Sequence, residues 1–214
     1  MSSFPFGAPD PSAFEPGSSP YLESVESLTD ADCSDTQDIH RGIVEIILIE
    51  KGSCHLITKY DRFLPLQKGS LVLIGSGILR RFKDGENLNA LLIRIGDVHL
   101  RGLPPAQLAP TEEPILLTRS SATTQGILLT ILQSIKLLAL EQEHRHRSET
   151  GAGLARALVL MSVSLLAECR NRDDARALHG MGARIKEYID AHYLEDLKLP
   201  DIAAVLHINP YYLS

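Results

Sequence analysis

"GIVEIILIEKGSCHLITKYDRFLPLQKGSLVLIG", Gly42 to Gly75, decides the fold. Short runs rich in Ile, Val and Leu are separated by turn residues at "KGS", "KYD" and "QKGS", and the pattern continues through "SGILRRF", a turn at "KDGEN" and "LNALLIRIG", ending at Gly96. β-branched runs of this length punctuated by Gly, Asp and Asn predict an antiparallel all-β sandwich or barrel over Gly42–Ile95. Pro65 cannot donate to a ladder and so belongs on an edge strand.

On either side the composition changes. The chain has 214 residues and 44% hydrophobic content, enough for one large domain or two small ones with a buried core. Residues 1–38 hold eight acidic groups and no Lys or Arg; removing those eight from the 27 acidic residues leaves 19 against 21 Lys and Arg, so the remainder is near +2. The Pro, Ser and Gly content of this acidic segment predicts partial disorder, at least to about Pro20. Its start has neither a basic n-region nor an apolar h-region, so it does not read as a signal peptide. Cys33, Cys54 and Cys169 are odd in number and form no C-x-x-C, which fits a reducing cytoplasm and neither a disulfide framework nor a zinc site.

After the four prolines of "RGLPPAQLAPTEEP" the period becomes helical. Ile127, Leu128, Leu129, Ile131, Leu132, Ile135 and Leu138 form a wide apolar face, the polar "EQEHRHRSETGAG" interrupts, and Leu154, Leu158, Met161, Leu165 and Cys169, with Val159, Ser162 and Leu166, form a second. The two predict an antiparallel helical hairpin, its excess apolar surface going either to a subunit interface or to the sheet. The run Ile127–Leu140, broken by Thr130, Gln133, Ser134 and Lys136, is too short to span a bilayer, which takes about 20 residues.

Beyond "NRDDARALHGMG" come "ARIKEYIDAHY" and "LKLPDIAAVLHINPYYLS". Leu199, Ile202, Ala203 and Leu206 repeat at helical spacing, and Asn209 with Pro210 opens another helix three residues later. This is a helix-turn-helix candidate, whose second helix enters the major groove.

The stretch "IKEYIDAHYLEDLKLPDIAAVLHINPYYLS", Ile185–Ser214, resembles the first DNA-binding helix and first helix-turn-helix of the AraC/XylS family of transcription regulators. The small Ala203, Leu206 and Ile208 flanking the turn, and the "NPYYLS" opening carry the resemblance. It implies an α+β protein with an N-terminal cupin-like β-sandwich or barrel, an antiparallel helical hairpin and an incomplete C-terminal helix-turn-helix. The expected divisions are an acidic segment 1–38, a cupin-like sensor 39–118, a dimerising hairpin 119–175 and the start of a DNA-binding domain at 180–214. The resemblance places Tyr211 and Ser214 toward bases, Tyr212 nearer the backbone, and Asn209 at the helix cap where it can meet a phosphate. His207 stands where relatives usually have glycine. The rest of the recognition helix and the second helix-turn-helix are missing, so the expectation is a fragment of a longer regulator or a truncated gene product. Residues 176–214 carry four basic and five acidic groups, poor electrostatics for phosphate contact, so this chain by itself is expected to bind an operator weakly.

The β region offers His40, His55 and His99 with no H-x-H, so neither a metal nor any other cofactor is expected. "HRHR" (144–147) places its histidines on different sides of a helix. No catalytic constellation stands out, and a non-enzyme is expected. Arg80 and Arg81 are neighbours on a strand, so one points inward; an inward arginine suits an anionic effector, a rim arginine a surface ion pair, and Arg94 in "LLIRIG" poses the same choice. The reading is therefore the effector-sensing and dimerisation portion of an AraC-type regulator, with DNA, a small-molecule effector and a second copy as partners and no membrane. Its rivals are a cupin-fold binder or enzyme without a DNA role, and a truncated regulator acting through mixed dimers.

Overall fold

The computed structural model describes residues 12–33, 38–59, 61, 63–117, 122–141 and 145–192, with side chains up to Cys169. Its elements are β1 (Tyr21–Thr29), a 3-10 turn (Asp30–Asp32), β2 (Asp38–Ile39), β3 (Ile43–Ile57), β4 (Phe63–Gln67), β5 (Leu71–Ile74), β6 (Leu79–Gly96), β7 (Ile115–Leu117), α1 (Ala122–Leu140) and α2 (Arg147–His192). All the strands belong to one antiparallel sheet, ordered β1-β6-β3-β5-β7, with β2 added to β6 and β4 to β3. This is an α+β architecture of an antiparallel sheet with two helices. Pro65 lies in β4, which pairs with β3 alone.

Two of the expected turns are not turns. "KGS" lies inside the 15-residue β3 and "KDGEN" inside the 18-residue β6, and the two long strands run alongside each other from Ile43↔Gly96 to Ile57↔Arg81. Turn-forming residues here make bulges instead: the register shifts between Ile49 and His55, opposite Asp84 and Asn87, which take positive φ of 54° and 51°. Gly52 is the tightest point between the backbones of β3 and β6. Its φ is +74°, and a Cβ would sit 2.3 Å from the carbonyl oxygens of both Glu86 and Asn87, so only glycine fits.

Both faces of the sheet are buried, which explains why its strands read as nearly continuous apolar runs. Val44, Ile46 and Leu48 of β3, with Leu91, Ile93 and Ile95 of β6, face the helices, where Leu128, Leu132 and Ile135 of α1 and Leu158, Val159 and Leu165 of α2 complete the layer. Ile47, Ile49, Ala90, Leu92, Val72 and Ile74 point the other way. They meet Leu56, Leu66, Ile78 and Phe82, so the sheet curls over a second core made of its own residues. Each fully buried Leu or Ile contributes about 1.5–3 kcal/mol.

The acidic segment expected to be partly disordered is ordered from Phe14 through Cys33 where it is described. β1 pairs with β6 from Tyr21↔Gly96 to Thr29↔Asn89. Pairing with a central strand outweighs the unfavourable composition, because Leu22, Val25 and Leu28 reach the cores while Glu23 and Glu26 stay outside. Ahead of it Phe14 is buried, bridges to Leu100 and lies 4.3 Å beneath the Arg156 guanidinium.

The helical faces largely match expectation: Leu128, Leu132, Ile135 and Leu138 of α1 are buried, as are Leu158, Val159, Ser162, Leu165 and Leu166 of α2. Ile127 and Leu129, expected on the buried face, are exposed, and Leu137 and Leu140 are 67% and 74% exposed. Thr123–Leu140 and Arg147–Cys169 are both long and apolar enough, by length and composition, to cross a bilayer. Ile127–Leu140 alone is too short for that, but α1 begins five residues before its apolar run; the buried residues of both helices nonetheless pack on the sheet.

The chain divides into two compact units, Met1–Ala167 and Glu168–Ser214. The break expected at "NRDDARALHGMG" is helical, within α2. Its Arg, Ala and Leu favour helix and offset Gly180 and Gly182, which cost about 1 kcal/mol each. The helix-turn-helix reading, with Asn209, Tyr211, Tyr212 and Ser214, lies outside the described residues.

Candidate functional site

Glu45 is the single charge in the apolar first half of β3, and Arg94 the single charge in the apolar end of β6. The antiparallel register sets them directly opposite each other on the inner face of the sheet. Arg94 Nε lies 3.0 Å from Glu45 Oε1, and Arg80 Nε lies 3.0 Å from Oε2 on the other side, although the latter contact lacks hydrogen-bond alignment. Glu45 is 2% exposed, so these two guanidiniums are what keep its buried charge tolerable.

Arg80 is the inward member of its pair. It shares a face with Phe82, its guanidinium 5.9 Å from that ring, whereas Arg81 turns outward to Asp61 at 2.8 Å. Arg80 Nη2 donates to Asp38 Oδ2 at 2.6 Å, from β2 alongside. His40 Nε2 stands between them, 3.1 Å from Arg80 Nη2 and 2.8 Å from Asp38 Oδ2. With a proton on Nε2 it donates to Asp38; without one it accepts from Arg80. Burial pushes the Asp38 carboxyl up, but the His40 hydrogen bond and the Arg80 charge outweigh it and hold the group below its ordinary pKa. On the other flank Arg94 Nη1 reaches Glu26 and donates to Ser24 Oγ at 3.2 Å.

This network lines a cleft of about 280 Å³, bounded by Glu26, Leu28, Asp32, Asp38, Arg80, Phe82 and Arg94. Arg80 and Arg94, the two effector candidates, are thus brought together, but both are already ion-paired inside the protein. Their partners Glu45, Asp38, His40 and Glu26 do not stand out in the sequence. One signal for Glu45 is present there: a lone acid in an apolar strand needs a cation, and Arg94 is the lone cation of another.

A larger groove of about 570 Å³ lies between β1 and the helices, lined by Tyr21 to Val25, Leu138, Ala139, Arg147, Ser148 and Gly151. Arg147 Nη2 donates to the Ala139 carbonyl near the end of α1, holding the helix junction. The remaining histidines of the β region are scattered: His55 faces Asp84 and the Phe63 ring, and His99 faces Asp97. Among the described residues no three of His, Cys, Asp and Glu are grouped to hold a metal ion. Cys33 and Cys54, distant in sequence, share a thiol hydrogen bond; burial, then the Cys33 neighbour, pushes the Cys54 thiol up to about 12.

No family model and no curated protein matches the sequence. Among solved structures the chain is similar to ToxT from Vibrio cholerae O395, at 12% identity over 91% of this chain and 72% of that one, with a TM-score of 0.41. It is also similar to the AraC-like transcriptional activator CuxR, at 12% identity over 87% and 64% with a TM-score of 0.38. A predicted oxalate decarboxylase from Thermotoga maritima is similar over 30% of this chain and 55% of that one, at 21% identity and a TM-score of 0.26. The chain thus spans little more than half of the last and under two thirds of the activator.

Proposed function

We propose that the chain is the effector-sensing and dimerisation portion of an AraC-type DNA-binding transcription regulator. The observation that carries the reading is the resemblance of Ile185–Ser214 to that family's first helix-turn-helix. The sheet domain supports it, because its inner face carries a solvent-reached cleft whose polar groups are held in place by a charge network. In this reading the protein is cytoplasmic and not an enzyme. DNA is met through Asn209, Tyr211, Tyr212 and Ser214 in the complete family architecture, and weakly by this chain alone.

A second copy is the partner for the helices. Leu137, Leu140 and Ile127 stay exposed on α1 after the sheet has covered its other side, and apolar helix surface of this kind belongs to an interface. The test is to join the whole chain ahead of a DNA-binding domain that represses a reporter only as a pair. Repression is expected, and a Leu137→Glu, Leu140→Glu variant should relieve it. A soluble, folded fusion that never represses would overturn the dimerisation part of the reading.

A further inference from the structure

We infer that the inner-face cleft takes a small cationic ligand, an ammonium or guanidinium group on a short apolar body. This rests on the effector reading of the same cleft and assigns its ligand class, in place of the anionic effector that an inward arginine would suit. Those two arginines are not available to an anion. Glu45 lies between them from behind, Asp38 engages Arg80, and Glu26 engages Arg94, so each guanidinium already has two carboxylates.

The excess charge is negative and lies outermost. Glu26, Asp32 and Asp38 set three carboxylates against the guanidiniums of Arg80 and Arg94, leaving the lining near −1, and the buried Glu45 behind the arginines brings the network near −2 with His40 neutral. Asp38 and Glu26 are each 45% exposed while the Arg80 side chain is 6% exposed, so an incoming molecule meets carboxylates before arginines. An anion must cross that rim to reach guanidiniums whose charge the carboxylates already balance. A cation meets the free lone pairs of the rim without breaking any of the pairs. The nearly buried Leu28 and Phe82 supply an apolar wall for the body of the ligand. A volume of about 280 Å³ corresponds to roughly nine liquid water volumes, which fits a ligand of about ten heavy atoms.

The test is calorimetric titration of the whole chain at low salt with phenethylamine and with agmatine, set against phenylacetate, an anion of similar size to phenethylamine. At least one cation should bind about tenfold more tightly than phenylacetate, and Asp38→Asn with Glu26→Gln should weaken it about fivefold or more. Asp32→Asn, outside the arginine pairs, gives the same readout if the double variant fails to fold. Phenylacetate binding as tightly as either cation overturns the inference, as does no binding of any probe at about 10 mM, above the Kd of even a weak pocket. Either failure leaves the regulator reading standing, since that is read from dimerisation through α1.

Discussion

Arg94 and Glu45 face each other across the β3/β6 ladder, Nε 3.0 Å from Oε1, each the one charge in its apolar stretch. With Arg80 on the opposite side of the same carboxylate, Glu45 is the centre of the inner-face network. Glu45→Ala would leave two nearly buried guanidiniums without their shared counter-ion. It should destabilise the protein by about 3–5 kcal/mol in chemical denaturation, with Glu45→Gln costing less because it keeps an acceptor. A loss below about 1 kcal/mol for the alanine variant would show that the network is not a buried one.

The bulge at Gly52 gives a second prediction. Any side chain there collides with two backbone carbonyls and also takes a positive φ, so Gly52→Ala should cost about 2 kcal/mol or more, or prevent folding. Gly69, with φ +88° and nothing within 4 Å of where a methyl group would sit, is the control: Gly69→Ala should cost only about 1 kcal/mol. Equal losses at the two sites would contradict the close approach of β3 to β6.

Acid should act through Asp38. Its pKa is held below the ordinary 3.8, so its stabilising contribution is present above that value and is lost as the pH falls through the depressed folded-state pKa. Asp38→Asn should lower stability at neutral pH and flatten the fall of stability below about pH 4. A variant whose acid profile parallels the parent's would remove Asp38 from the network's energetics.

Cys54 should be inert. With its pKa pushed to about 12, the thiolate at about pH 7.5 is roughly one molecule in thirty thousand, and the thiolate is the reactive form. Iodoacetamide followed by mass spectrometry should leave Cys54 unmodified in the native protein under conditions that alkylate it fully in urea. Comparable rates in the two conditions would mean that the Cys33–Cys54 contact and the burial around it are absent.

The sheet is legible in the sequence because apolar β-branched runs have few other uses, and β4 and β5 fall where their runs are. The lengths of β3 and β6 are not legible. Gly, Asp and Asn satisfy a left-handed backbone equally in a turn and in a bulge, so "KGS" and "KDGEN" look like reversals until the strands are paired. β1 is hidden by acidity, because Glu23 and Glu26 mask the apolar residues that cross-strand pairing buries. At the site, Arg80 and Arg94 stand out as charges amid apolar neighbours. Their internal partners do not, since a counter-ion 49 residues away in sequence is fixed only by register.

A sensor that works as a pair must associate in solution, and sedimentation equilibrium of the whole chain reads that association without a reporter. A dimer is expected at low micromolar concentration, converted to monomer by Leu137→Glu with Leu140→Glu while the fold, read by circular dichroism, is unchanged. A parent chain that stays monomeric at about 100 μM, a concentration at which even an interface worth roughly 6 kcal/mol is well occupied, would contradict the paired sensor.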